Sequence, residues 1–160
     1  MPRRAADPHG PARPARFGYA GAMRTLPLRL SPGDDLRGAL SAAVAANGAE
    51  AAFVLAGIGS LRAACLRLAG RAAPDTLVGD LEILTLAGTL GAGGPHLHAS
   101  VADATGRVVG GHVAAGCIVR TTAEVLLALL DDVRFTRAHD ASTGYAELQV
   151  SPRPSPPAAP

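Results

Sequence analysis

Leu26, Leu28 and Leu30 alternate with Pro27 and Arg29. A period of two predicts a half-buried strand, and a proline within it places that strand at a sheet edge, because Pro donates no ladder hydrogen bond. Pro32-Gly33-Asp34-Asp35 then supplies turn and N-cap chemistry for a helix with Leu36, Leu40 and Val44 at four-residue spacing, and Asn47-Gly48 ends it. Short apolar runs follow at Ala51 to Ile58 and Leu61 to Leu68, separated by Gly59-Ser60, and another covers Leu81 to Leu90. Strands therefore dominate the middle of the chain. Asp103-Ala104-Thr105-Gly106 fits a type I turn closed by a glycine bulge, which makes His96 to Ala102 and Arg107 to Val113 an antiparallel hairpin. Thr122 to Leu130 is open between helix and buried strand, since a short continuous apolar run has no decisive period. Val133 to Ala138 and Gly144 to Val150, joined through Asp140-Ala141-Ser142-Thr143-Gly144, predict a last hairpin.

The two ends carry no such pattern. Residues 1–22 are Pro, Arg, Ala and Gly without hydrophobic periodicity, and residues 151–160 form a Pro-rich tail; both are expected to stay disordered around one domain at 23–150. Patterned sequence starts immediately after Met23, which makes Met23 a candidate true start. Of 160 residues, 48% are hydrophobic but only 3% aromatic, a composition that disfavours base-stacking readers of nucleic acid. The formal charge is +2, yet between Met23 and Val150 there are 10 Arg against 12 Asp and Glu, a balance of −2. Duplex binding through such a core is disfavoured, and any electrostatic grip on DNA falls to the basic first 22 residues. Neither a membrane span nor a secretory h-region is visible, so the expected location is the cytoplasm. Cys65 and Cys117 belong to no C-x-x-C pattern and read as reduced core thiols.

Three of the five histidines lie within 17 residues, in His96-Leu97-His98 and Gly110-Gly111-His112. Residues 96 and 98 share one strand face. If the turn is the three-residue loop Ala104 to Gly106, Asp103 opposes Arg107 and His98 lies opposite His112, close enough for three imidazoles to meet on a divalent cation, with zinc the expected ion. Gly110 and Gly111 remove side chains that would crowd it. The alternative is three neutral imidazoles hydrogen-bonded on a partly wet face. Cys117 falls on the other face by parity. A water or a carboxylate would complete the metal shell, with Glu82 the candidate acid unless it simply faces solvent. Gly57-Ile58-Gly59 is no dinucleotide fingerprint, because Arg62 stands where the third glycine would be and a strand follows. Ser60 lacks a nucleophile elbow, and His139-Asp140 reads as turn chemistry.

Gly57-Ile58-Gly59-Ser60-Leu61, the run Gly79 to Thr89, His96-Leu97-His98-Ala99-Ser100-Val101, Gly110-Gly111-His112-Val113, and Arg137 through Gly144 leading into Glu147-Leu148 together resemble the plants-and-prokaryotes conserved (PPC) domain. The resemblance runs from about Met23 to Val150. It implies an α+β fold with a largely antiparallel sheet, a flanking helix and a homotrimeric assembly, with strand around Ala123 to Leu127. It also implies metal binding at His96, His98 and His112, and a regulatory or interaction role. Plant members associate with DNA through AT-hooks, but Ala12-Arg13-Pro14-Ala15-Arg16 lacks the Arg-Gly-Arg-Pro core, which leaves DNA association weak or indirect. The His-x-His plus distant His pattern is also similar to the zinc site of acetolactate decarboxylase, which shares the broader fold. A small metal-dependent lyase or hydrolase is therefore the alternative, with Glu82, Glu124 and Arg120 as its candidate polar groups.

Overall fold

The computed structural model describes residues 23–153. The expectations for the two termini, including the start at Met23, lie mainly outside those residues. In chain order the elements are β1 (Met23–Leu30), α1 (Leu36–Ala46), β2 (Ala51–Arg67), β3 (Asp75–Gly91), β4 (His96–Ala102), β5 (Val108–Val113), β6 (Ile118–Leu130), β7 (Val133–Asp140) and β8 (Tyr145–Pro152). Six strands form one antiparallel sheet in the order β1-β6-β2-β3-β4-β5. The end of β2 also pairs with β5, Leu66 to Val113 and Arg67 to His112, so β2, β3, β4 and β5 close on themselves. β1 pairs only with β6, which is the edge position its proline demands.

The apolar runs on either side of Gly59-Ser60 are one 17-residue strand, where the sequence pattern suggests two. Gly59 has φ +144°, and a side chain there would overlap the backbone of Thr122 and Ala123 in β6. With register shifts against β6 around Val54–Ala56 and Gly59–Ala63, the glycine bends a continuous strand rather than ending it. β3 likewise begins at Asp75, earlier than its apolar run. Thr122 to Leu130 is strand within β6, its inward residues Ala123, Val125, Leu127 and Leu129 all buried.

The helix follows its sequence signals. Asp35 Oδ1 accepts from Gly38 N at 2.8 Å as the N-cap, and Oδ2 accepts from Gly116 N at 2.6 Å, tying α1 to the turn before β6. Leu36, Leu40 and Val44 enter the core with Leu61, Leu66, Leu97, Val101 and Val119. Cys117 lies there too, its thiol donating to the Cys65 carbonyl at 3.3 Å, and both cysteines are free thiols.

β7 and β8 form a separate two-stranded sheet. Backbone bonds from Phe135 N to Glu50 O and from Gly93 N to Phe135 O, both 3.1 Å, dock it against the start of β2 and the end of β3. Glu50 pairs with Arg134 at 2.9 Å and Arg153 at 3.2 Å, and Phe135 is buried beside Ala51. β8 runs to Pro152, two residues past the boundary expected from the sequence, because Arg153 is anchored by Glu50, the Gly48 carbonyl and the Asp132 carbonyl. Among the described residues no helix is long and apolar enough to cross a membrane.

Candidate metal centre

The turn between β4 and β5 sets the geometry. Gly106 N donates to Asp103 O at 2.9 Å and Asp103 N to Arg107 O at 3.0 Å, while Asp103 Oδ1 accepts from Thr105 N and Arg107 N. This is the three-residue loop expected, and it pairs His98 with His112. Leu97, Ala99, Val101 and Val113 point inward and are buried, so His96, His98 and His112 stand together on the outer wall. Gly88, opposite Leu97 with φ +139°, lets β3 lie against His96: a side chain there would overlap the His96 carbonyl.

Nε2 of His96 lies 3.1 Å from Nε2 of His98 and 3.2 Å from Nδ1 of His112, and the last two are 2.9 Å apart. Imidazole protons alone cannot satisfy this triangle. A hydrogen bond needs one donor and one acceptor, and three atoms cannot alternate around a ring, so one pair must face proton to proton or lone pair to lone pair. A cation accepting all three lone pairs removes the conflict. Tetrahedral zinc with Zn–N of about 2.0–2.1 Å spaces its ligands about 3.3 Å apart, within a few tenths of an ångström of the observed edges. The three residues are also the group of potential ligands that converges among the described residues. Neutral rings are favoured before any ion arrives. Burial, then the charge of Arg137, holds His96 below the ordinary imidazole range despite an opposing pull from Glu147, and burial followed by Arg67 does the same to His112.

Glu82 does not complete the site. It pairs with Ala102, four residues along β4 from His98, roughly 13 Å at strand rise, and is exposed. Arg120 is engaged with Asp80 at 2.9 Å, and Glu124 lies opposite Arg29 and Ile58, away from the histidines. Cys117 is in the core, its thiol pushed up to about 11 by burial. Gly111 serves a different purpose from the one expected: a Cβ there would come 2.7 Å from the Arg67 carbonyl, so the glycine lets β5 approach β2 rather than clearing space for an ion.

The groups that do border the histidines come from elsewhere in the chain. Arg67 pairs directly across from His112. Arg137 on β7 donates from Nη2 to Thr89 Oγ1 at 3.3 Å, and Thr89 is the β3 partner of His96. Glu147 comes in on β8. Strand register brings Arg67 to His112, and docking of the β7–β8 hairpin brings Arg137 and Glu147.

A single outer-wall histidine site on a closed antiparallel sheet with one helix matches the family indicated by the motifs. The chain belongs to the Plants and Prokaryotes Conserved (PCC) domain family, whose model matches residues 17–131. The matched span starts six residues before Met23 and stops short of the last hairpin. Among solved structures, a protein from Salmonella enterica is 40% identical with a TM-score of 0.81, covering 86% of this chain and 99% of that one. A metal-containing protein from Archaeoglobus fulgidus, AF0104, is 27% identical with a TM-score of 0.68, covering 79% and 93%. The bifunctional protein GlmU of a Synechococcus strain is 44% identical over 146 residues, 88% of this chain, which spans only 23% of that relative.

Proposed function

We propose that this chain is a homotrimeric PCC-domain module that binds a divalent metal, zinc, through His96, His98 and His112. It acts in the cytoplasm as a regulatory or interaction unit whose contact with DNA is weak or indirect. The observation that carries the metal reading is the triangle of ring nitrogens with edges of 2.9–3.2 Å, which hydrogen bonding cannot satisfy. The Archaeoglobus relative, described as metal-containing, supports it. Support for association comes from the outer face of β2 and β3, where Phe53, Leu55, Ile58 and Leu84 are 41%, 50%, 58% and 49% exposed. The charge of −2 between Met23 and Val150 argues against duplex binding by the core. Metal analysis of protein purified without a His-tag tests the reading directly: one ion per chain is expected, and metal-free protein that takes up none rejects it. Light scattering at micromolar concentration should return a mass near three chains, and a monomer there removes the assembly.

One observation favours a second reading, a small metal-dependent lyase or hydrolase: the three histidines leave a coordination position free and His98 is exposed. A metal bound there would polarise a carbonyl or activate water. The chain's own contribution would be to hold the His96 and His112 rings neutral and to orient a substrate with Arg67 and Arg137.

A further inference from the structure

Two guanidinium groups flank the histidines without a carboxylate partner. Arg67 pairs across from His112, and among the described residues its one side-chain hydrogen bond is from Nη1 to the Arg71 carbonyl at 3.5 Å. Arg137 is positioned by Thr89 Oγ1 at 3.3 Å and the Ala146 carbonyl at 3.2 Å, two of its five N–H donors. Both residues are half-buried, and neither forms an ion pair among the described residues. Partly desolvated, unpaired charge is costly, and a dication between the two arginines makes it more so. Among the described residues, Glu147 is the acid that acts on His96, and it pulls more weakly than Arg137 opposes. A loaded site thus keeps a net positive charge that the chain does not neutralise.

We propose that the site takes a ligand bearing a carboxylate or phosphate group, one oxygen occupying the free metal position and the oxyanion held by Arg137, with Arg67 adding charge from the opposite side. This rests on the metal reading above. A guanidinium fork matches two oxyanion oxygens, and removing a charge-assisted pair of this kind lowers affinity at least about tenfold. Arg137 lies on the last hairpin, beyond residues 17–131 that the family model matches.

The test uses the full, untagged chain loaded with Co²⁺, whose visible absorption reports changes at the metal. Metal content is counted first, then acetate and inorganic phosphate are titrated separately in chloride-free buffer. The expected result is saturable binding of at least one of them to wild type, with the tighter arm telling carboxylate from phosphate. Arg137→Gln should keep one metal per chain and bind that oxyanion at least about tenfold more weakly, while Arg134→Gln, on the same hairpin but paired with Glu50, should match wild type. Arg67→Gln, on another strand, should also weaken binding and replaces Arg137→Gln should that variant fail to fold. Loaded wild type that binds neither anion, or loaded Arg137→Gln (or its Arg67 replacement) that binds as tightly as wild type, overturns the proposal and leaves the metal reading standing. A wild type that takes up no metal fails at the first count, which rejects both.

Discussion

Replacing His98 with alanine separates a functional metal from a structural one. Zinc sites release about 10–16 kcal/mol across four ligands, so one imidazole carries about 3–4 kcal/mol, a factor of about 10²–10³ in affinity. At a hundredfold excess over Kd, bound metal stabilises the folded state by about 2.7 kcal/mol, which raises Tm by roughly 5–11 °C in a domain of this size. Wild type should show that rise on adding zinc, and His98→Ala at the same zinc concentration should lose most or all of it. In EDTA the order changes. His98 is exposed, so its truncation removes no core contact, and it leaves His96 Nε2 and His112 Nδ1 3.2 Å apart, a pair that can share one proton without conflict. Metal-free His98→Ala should therefore melt within roughly 2 °C of metal-free wild type or above it. The assay is thermal unfolding of both proteins with zinc and with EDTA, alongside elemental analysis. Equal zinc-induced stabilisation of the two proteins, or one tightly held zinc per chain in the variant, would falsify the convergence of the three rings on an ion.

Gly88→Ala should cost at least about 1–3 kcal/mol in denaturant unfolding and weaken metal binding, because φ +139° is strained for alanine and the added carbon meets the His96 carbonyl; a neutral effect would mean that β3 does not lie against His96 as described. His96 and His112 have folded pKa values below the unfolded value, so the stability they contribute to metal-free protein is complete above about pH 6.5 and is lost as pH falls through their folded values. Unfolding in EDTA from pH 8 to 5 should show this slope, and His96→Ala/His112→Ala should flatten it. The Cys117 thiol, raised to about 11 by burial, should resist alkylation at pH 8 in folded protein and react on unfolding, as peptide mapping will reveal.

The histidine triangle is legible in the sequence because every step to it is local. A three-residue turn fixes the pairing of β4 with β5, strand parity puts 96, 98 and 112 on one face, and the opposite face reads as apolar. Arg67 and Arg137 are not legible by that route. Their positions depend on β2 meeting β5 and on the hairpin docking through Glu50 and Gly93, contacts between segments tens of residues apart that leave no periodic trace. The same limit explains Glu82: an acid in an apolar strand stands out by composition, but the β3–β4 register puts it opposite Ala102. Thr122 to Leu130 resists assignment because β6 has a neighbour on each side and is largely buried, so its alternation is blurred.

Where the triangle sits also decides what kind of metal site it can be. Structural zinc ions are surrounded by four protein ligands and stand in for a hydrophobic core that a small domain cannot build. Here the alternate side chains of β4 and β5 point the other way: Leu97 is 1% exposed, Val101 1% and Val113 6%, and they belong to the core cluster that includes residues of α1 and β6. The fold has no need of an ion to bring β4 and β5 together, since the Asp103 turn and the ladder already do so. An ion held by three outward imidazoles, with one direction free and Arg67 and Arg137 beside it, would contribute its charge to a ligand rather than to the core. The test of that distinction is whether removing the metal changes what the protein binds far more than it changes whether the protein folds.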